Sequence, residues 1–333
     1  MDAPLDIVVL LNSPEDIRRQ YRDGIPAGAD NVRVHVINDV GDIDPHLPAM
    51  DVLMTYGTFL RDRAGEVFRQ SPRLRWVQAL GSGVDNLLCA RDDIVITAIR
   101  GIHDSAVSEA AFAAMLALAR NMPQVMRNQA ARLWERLPSR LLEGKTVGLL
   151  GVGLIAEGLA RRCQAFGMRV VGITSRTEPV PGFDELRPRS ALPAAAADLD
   201  ILVVLAPYTA DNHHLIGEAV LSAMKPSAVL VNIARGGVVD EAALLAALTR
   251  GGIAGAALDV FAEEPLPRAH PFWEMPNVIV TPHTAGMNVD YVQRALPIIL
   301  DNIRAFRAGR IEAMTGLVRA SSASVPAPRS SAA

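Results

Sequence analysis

The sequence predicts an α/β chain of two domains, each built on a doubly wound parallel sheet. Its 333 residues fit two domains of roughly 150 residues better than one. Half of the residues are hydrophobic and 21% are charged, which supplies sizeable cores and argues against a disordered chain. Short, near-continuous apolar runs alternate with helical stretches along most of the length. Strands that are apolar on both faces belong to parallel sheets covered by helices on either side.

In the first hundred residues the apolar runs are Ile7–Leu11, Val32–Ile37, Val52–Met54, Trp76–Ala79 and Ile94–Thr97, separated by helical or loop segments. The Ala-, Leu- and Met-rich stretch Ser105–Arg120 reads as a long, mostly buried helix with Ser105 as its N-cap. It marks the crossing into the second domain. There Thr146–Leu150, Arg169–Thr174, Ile201–Leu205, Ala228–Asn232, Ile253–Leu258 and Val278–Val280 read as strands. Helices are expected up to about Phe166, over Glu218–Ala223 and over Glu241–Thr249. A last helix is expected from about Asn288 to Arg307, and the low-complexity tail beyond it (319–333) is expected to be disordered.

Charge and cysteine usage exclude several function classes. The formal net charge is −3 and no basic run reaches five residues, so the electrostatic footprint of a nucleic-acid binder is missing. Cys89 and Cys163 share no ligand spacing with a histidine, which argues against a disulfide framework and a thiolate zinc site. Asp2 and Asp6 precede only a short apolar run, unlike a secretory signal. No apolar stretch approaches the roughly 18 residues of a membrane span. A cytoplasmic, soluble protein without a metal is the expectation.

The most informative motif is Gly151-x-Gly153-x-x-Ala156, placed directly after a strand and at the mouth of a helix. Gly151 allows a tight turn, Gly153 lets the backbone approach a pyrophosphate, and Ala156 permits close helix–strand packing. Leu154 and Ile155 open the helix, whose unpaired N–H groups and positive dipole end face the anion. The next strand ends in Thr174-Ser175-Arg176-Thr177, where an NAD site usually presents a carboxylate to the ribose 2′-hydroxyl. Two hydroxyls and a guanidinium instead suit a 2′-phosphate. NADP is therefore the expected cofactor, with NAD the alternative if Arg176 is only a solvated turn residue or Glu178 turns inward.

Three polar residues lie at or just beyond strand ends of the second half, where open α/β sheets place ligands. These are Arg235 in Asn232-Ile-Ala-Arg-Gly-Gly-Val-Val-Asp240, Glu264 in Leu258-Asp-Val-Phe-Ala-Glu-Glu-Pro-Leu266, and His283 in Asn277-Val-Ile-Val-Thr-Pro-His-Thr-Ala-Gly286. Singly each has an ordinary explanation as a turn, a solvated acid or a structural histidine. Downstream of a dinucleotide fingerprint, they resemble the Arg–Glu–His set of the D-isomer-specific 2-hydroxyacid dehydrogenase family. The resemblance runs from the first strand to about Arg310.

That resemblance implies a Rossmann nucleotide-binding domain (103–287) inserted in a flavodoxin-like substrate-binding domain (1–102 and 288–318). It implies hydride transfer between NAD(P)H and a small 2-oxo acid, with glyoxylate or hydroxypyruvate the expected substrates. Arg235 would bind the carboxylate and polarise the carbonyl, His283 would give the proton, and Glu264 would hold the imidazole's other nitrogen. By the same resemblance Asp259 accepts from the nicotinamide carboxamide. Leu205, Ala206, Pro207, Ile233, Ala234, Ala285 and Gly286, with Arg235 and His283, would line the cofactor. Gly81, Ser82 and Gly83 would offer backbone N–H groups to the substrate carboxylate; a plain strand-to-helix turn is the other reading. Arg100, Gly101 and His103 sit at the crossover, His103 being as readily an exposed residue at the helix start. His213 and His214 lie in a loop and are assigned nothing catalytic. Relatives dimerise through the apolar helix and Asn121–Trp134, so a homodimer is expected. The rival class is a non-enzymatic, corepressor-like NAD(P)-sensing protein on the same fold.

Overall fold

The computed structural model describes residues 3–320. The chain divides into two units, Met1–Ile102 with Asn288–Ala333, and His103–Met287.

The first unit opens with β1 (Leu5–Leu10), α1 (Glu15–Gly28), β2 (Val32–Ile37), β3 (Val52–Thr55), α2 (Ala64–Gln70), β4 (Trp76–Ala79) and β5 (Val95–Ala98). Every residue of β1, β3, β4 and β5 is buried, the few polar ones (Asp6, Thr55, Gln78 and Thr97) included, as befits central parallel strands covered on both faces. The second unit holds α3 (Asp104–Ala119), α4 (Met122–Ala130), β6 (Thr146–Leu150), α5 (Leu154–Ala165), β7 (Arg169–Thr174), β8 (Glu185–Pro188) and α6 (Leu192–Ala196). It continues through β9 (Ile201–Val204), α7 (Glu218–Ala223), β10 (Val229–Asn232), α8 (Glu241–Thr249), β11 (Gly255–Leu258) and β12 (Val278–Val280). The chain then returns to the first unit with α9 (Tyr291–Arg307) and β13 (Leu317–Arg319).

The first sheet runs β2-β1-β3-β4-β5-β13, parallel except for the last pair. That is the flavodoxin-like order with an antiparallel edge strand added. The second sheet runs β8-β7-β6-β9-β10-β11-β12, parallel throughout. Its order reverses between β6 and β9, the Rossmann-type switch point, where ligands bind beyond the strands' carboxyl ends.

In the first unit a buried polar network fastens the returning segment to the sheet. Gln78 Oε1 accepts from Thr97 Oγ1 and from Asn302 Nδ2, both at 2.9 Å, and the Trp76 indole N–H donates to Thr97 Oγ1 at 2.8 Å. Asn302 also exchanges bonds with the Thr315 backbone at 2.7 and 3.0 Å. Each of these buried polar groups therefore has a partner, the condition under which such a network stabilises.

Three sequence expectations are corrected. The crossover helix begins at Asp104, with His103 as the residue before it and no side-chain cap bond. Ser105 is thus inside the first turn, and it is the Ser108 hydroxyl that donates, to the Asp104 and Ser105 carbonyls. His103 is buried rather than exposed. The tail does not begin at Arg319: that residue pairs with Ile96 in β13, and its guanidinium donates to the Ala90 and Arg91 carbonyls at 3.1 and 2.8 Å. Residues 321–333 lie outside the described residues.

Candidate active site

The site of the second unit is assembled from the turns after β6, β7, β9, β10, β11 and β12. After β6, Gly151 has φ +98°, and a Cβ there would lie 2.8 Å from Ala206 N and 2.9 Å from Ala206 Cα. Only glycine meets both conditions, and this contact is how the Leu205–Pro207 turn reaches the fingerprint. A Cβ on Gly153 would meet no heavy atom within 4 Å, so the space above that turn is open. The first helical bond of α5 runs from Glu157 N–H to Gly153 O at 2.9 Å, and no side chain caps this end. Leu154 is exposed and Ile155 half-buried beside these uncapped amides. The turn therefore offers N–H donors, a positive dipole end and room for a phosphate group.

Beyond β7, Ser175, Arg176 and Thr177 are exposed and line a cavity of about 450 Å³ together with Glu157 and Glu178. The Arg176 N–H donates to Thr174 Oγ1 at 3.2 Å. Its guanidinium stands 4.0 Å from Glu157 Oε1. A carboxylate from the helix thus shares the arginine, a feature that the order of residues did not disclose.

Beyond β10, buried Asn232 shapes the next turn. Its Oδ1 accepts from Ala234 N–H at 3.2 Å and its Nδ2 donates to Arg235 O at 3.1 Å. The Arg235 guanidinium donates to the Ala234 carbonyl at 2.6 Å. A Cβ on Gly236 would lie 1.9 Å from Phe261 C and 2.3 Å from Ala262 N. The absence of a side chain at Gly236 is what allows the arginine's turn to rest against the Phe261–Glu264 loop. Glu264 closes that loop on itself, its Oε1 accepting from Phe261 N–H at 3.0 Å.

The other Glu264 oxygen stands 2.7 Å from His283 Nδ1. Burial acts to raise the Glu264 carboxyl pKa, but the His283 hydrogen bond and charge, the Phe261 N–H and the Arg235 charge outweigh it and leave it below the usual value. Glu264 is therefore ionised at neutral pH, and a carboxylate at Nδ1 makes that nitrogen the proton-bearing one. The arrangement orients the imidazole and leaves Nε2 for chemistry.

His283 sits at φ +53°, an uncommon conformation for a residue other than glycine. Asp259 holds it there. Its Oδ1 accepts from the Thr281 hydroxyl at 2.6 Å and Thr284 N–H at 2.9 Å, and its Oδ2 from Ala285 N–H at 2.9 Å. The Asp259 carbonyl also accepts from His283 N–H at 2.8 Å. Three of the roughly four lone-pair sites of the carboxylate are thus occupied by the histidine's own loop. Asp259, Ile233, Thr281, Thr284 and Ala285 face a second cavity of about 300 Å³, completed by alanines of α3 and by Ala257, Leu258 and Ile279. His103 packs beside Gly286, its Cδ2 3.4 Å from where a Cβ would sit. Burial lowers the His103 imidazole pKa, against the charge of Asp104.

The structure thus joins Glu264 to His283 and seats the Arg235 turn against the Glu264 loop, and separately gathers Gly151, Gly153, Leu154 and Ala206. Gly81, Ser82 and Gly83 belong to the first unit, in the loop after β4. His213 and His214 are exposed and stack at 3.8 Å between ring centroids. Asn232, Glu157 and the clamp role of Asp259 escaped the sequence reading. The only signal for them was a polar residue at a strand end or one turn into a helix.

A Rossmann-type unit carrying a phosphate turn and an Arg–Glu–His cluster at its strand ends defines a dinucleotide-dependent dehydrogenase architecture. Residues 112–285 match the model of the D-isomer specific 2-hydroxyacid dehydrogenase NAD binding domain. A glyoxylate reductase of Thermococcus gammatolerans is 36% identical over 268 residues, 76% of this chain and 80% of the relative. A D-isomer specific 2-hydroxyacid dehydrogenase of Xanthobacter autotrophicus, solved with NADPH and MES, is 31% identical with a TM-score of 0.75, covering 96% of this chain and 98% of that one. An NADPH-dependent glyoxylate/hydroxypyruvate reductase of Sinorhizobium meliloti, solved with NADP and sulfate, is 25% identical with a TM-score of 0.78, covering 94% and 98%. The chain belongs to the D-isomer specific 2-hydroxyacid dehydrogenase family. Among the described residues no helix is long and apolar enough to cross a membrane.

Proposed function

We propose that the protein is a cytoplasmic, homodimeric, NADPH-dependent reductase of small 2-oxo acids, with glyoxylate or hydroxypyruvate as substrate. The observation that carries this is the 2.7 Å contact between Glu264 and His283, with the Arg235 charge acting on the same carboxylate. The names of the two reductase relatives support the substrate class, and the NADPH and NADP of the two solved relatives support the cofactor.

The uncapped amides of α5 and the open turn at Gly153 suit the pyrophosphate, and Ser175, Arg176 and Thr177 suit a 2′-phosphate. The reduced nicotinamide, when bound, supplies the hydride that the carbonyl carbon of the 2-oxo acid receives. Arg235 pairs with the substrate carboxylate and draws electron density toward the carbonyl oxygen; its planar fork suits both contacts. His283 delivers the proton from Nε2 to that oxygen, giving the 2-hydroxy acid and a neutral imidazole. Glu264 keeps the ring oriented by holding Nδ1 at 2.7 Å. Gly81, Ser82 and Gly83 offer backbone N–H groups to the carboxylate, and the first unit serves as the substrate-binding domain of 1–102 and 288–318. The apolar residues Met126, Leu133, Trp134 and Leu141, all exposed in the single chain, supply a surface for a second copy.

The test is NADPH absorbance decay with a panel of 2-oxo acids, repeated with NADH. Turnover of glyoxylate or hydroxypyruvate with a preference for NADPH is expected. Tight dinucleotide binding with no turnover of any oxo acid would overturn the proposal in favour of a dinucleotide-sensing role. Light scattering is expected to give twice the 35.6 kDa chain mass.

A further inference from the structure

Behind the Gly81–Gly83 loop, within the first unit, lie two tyrosine side chains that the proposed chemistry does not use. The β3–β4 ladder continues one residue past β4, with Leu80 N–H on Thr55 O at 2.9 Å. The next acceptor, the carbonyl of fully buried Leu80, lies where the strand gives way to the loop. It takes its hydrogen bond from the side-chain hydroxyl of Tyr291, in the first turn of α9. The Tyr56 ring lies beside that of Tyr291, their centroids 6.3 Å apart. Burial pushes the Tyr56 phenol up to about 12 and that of Tyr291 higher still, so both hold their protons at neutral pH. The Tyr56 ring also closes one side of Gly81, its carbons 3.3 and 3.5 Å from where a Cβ would stand.

The Leu80–Gly81 peptide is trans, the one cis bond of the described chain being Glu264–Pro265. In a planar trans peptide the C=O and the following N–H point in opposite directions. A hydroxyl that draws the Leu80 carbonyl to the buried side therefore turns the Gly81 N–H to the other side. That hydroxyl is the donor found on the Leu80 carbonyl among the described residues, and without it the glycine that follows would resist rotation little.

We infer that Tyr291 is a positioning residue for the substrate carboxylate: by holding the Leu80 carbonyl inward it presents the Gly81 N–H outward as the first donor of the loop. Tyr56 acts one step behind, its ring packed beside that of Tyr291 and against Gly81. This inference rests on the reading that the Gly81–Gly83 loop receives the carboxylate of a 2-oxo acid.

Tyr291→Phe tests it, because the ring stays in the core and only the hydroxyl is removed. The KM for glyoxylate and the inhibition constant of oxamate, which carries the carboxylate but is not reduced by hydride, are expected to rise together by about tenfold. kcat is expected to change less, and NADPH affinity to stay as in the parent. Unaltered KM and inhibition constant in a folded Tyr291→Phe protein would overturn the inference. If that variant does not fold, the Gly81 amide resonance of the parent protein decides. It is expected to shift on oxamate addition, and an unmoved signal with oxamate bound overturns the inference. If the parent neither binds oxamate nor reduces any oxo acid, the functional reading itself fails. A parent that does both, with Tyr291→Phe behaving identically, refutes the role of Tyr291 alone.

Discussion

Replacing Glu264 by glutamine perturbs the center of the site with little change of volume. The carboxylate accepts two hydrogen bonds on two oxygens, Phe261 N–H at 3.0 Å and His283 Nδ1 at 2.7 Å. An amide has one oxygen, so either orientation turns an NH₂ group toward an N–H donor. A hydrogen bond to a charged group contributes about 1.5–3 kcal/mol. The lost attraction for an imidazolium adds less than the roughly 4 kcal/mol of an unscreened pair at an effective dielectric of 20, because the His283 side chain is 35% exposed and water screens it. Together about 2–3 kcal/mol of transition-state stabilisation is removed, which lowers kcat by about 30- to 150-fold. The assay is NADPH oxidation at saturating glyoxylate, with cofactor affinity followed by fluorescence. A Glu264→Gln enzyme whose kcat stays within about threefold of the parent would refute the reasoning.

The same pair links stability to pH. The folded Glu264 carboxyl is held below its usual value of 4.5, so its stabilising contribution is complete above that value and is lost as the pH falls through the folded value. The stability gap between parent and Glu264→Gln in denaturant titrations is expected to be full at neutral pH and to shrink in acid. His283→Ala is expected to lower kcat by about 10²- to 10⁴-fold with cofactor affinity kept, as read by steady-state kinetics and dinucleotide titration. Arg176→Ala should weaken NADPH by about tenfold or more, at about 1.5–3 kcal/mol per charge-assisted bond, and NADH much less. Glu157→Gln, which frees Arg176 from its 4.0 Å partner, should tighten NADPH, and titrations with both cofactors check both variants. Gly236→Ala places a Cβ 1.9 Å from Phe261 C; the two turns must separate, and both activity and thermal stability are expected to fall.

Most strands of both sheets were legible because a central parallel strand is apolar on both faces, and such runs stand out in any sequence. The strands that escaped, β8 and β13, lie at edges. β8 reads Glu185-Leu-Arg-Pro188, and its charges are balanced locally, with Arg187 on Glu185 at 2.6 Å and on Asp198 at 2.8 Å. Charge on an edge strand discourages further pairing, so the property that makes it a sound edge also hides it from a hydrophobicity pattern. β13 is three residues long, too short for any period to show. Ser105 misled because a serine near a helix start is a frequent cap, whereas the backbone places the cap two residues earlier, at His103, and the next serine, Ser108, bonds back to the first turn.

The amino-acid order alone determined the alternation of strands and helices, the phosphate turn, and the residue types able to polarise a carbonyl and move a proton. These depend on neighbours in sequence, through periodicity and backbone freedom. Which groups meet was decided only by the tertiary structure. The 19 positions that separate Glu264 from His283 in sequence become 2.7 Å because β11 and β12 are adjacent and end side by side. Gly236 serves as the gap through which one turn reaches another. The carboxylate of Asp259, read in sequence as a cofactor contact, spends most of its hydrogen-bonding capacity on the loop that carries the histidine. Direction and distance between side chains far apart in sequence are set by the packing of the sheet, and no local pattern encodes them.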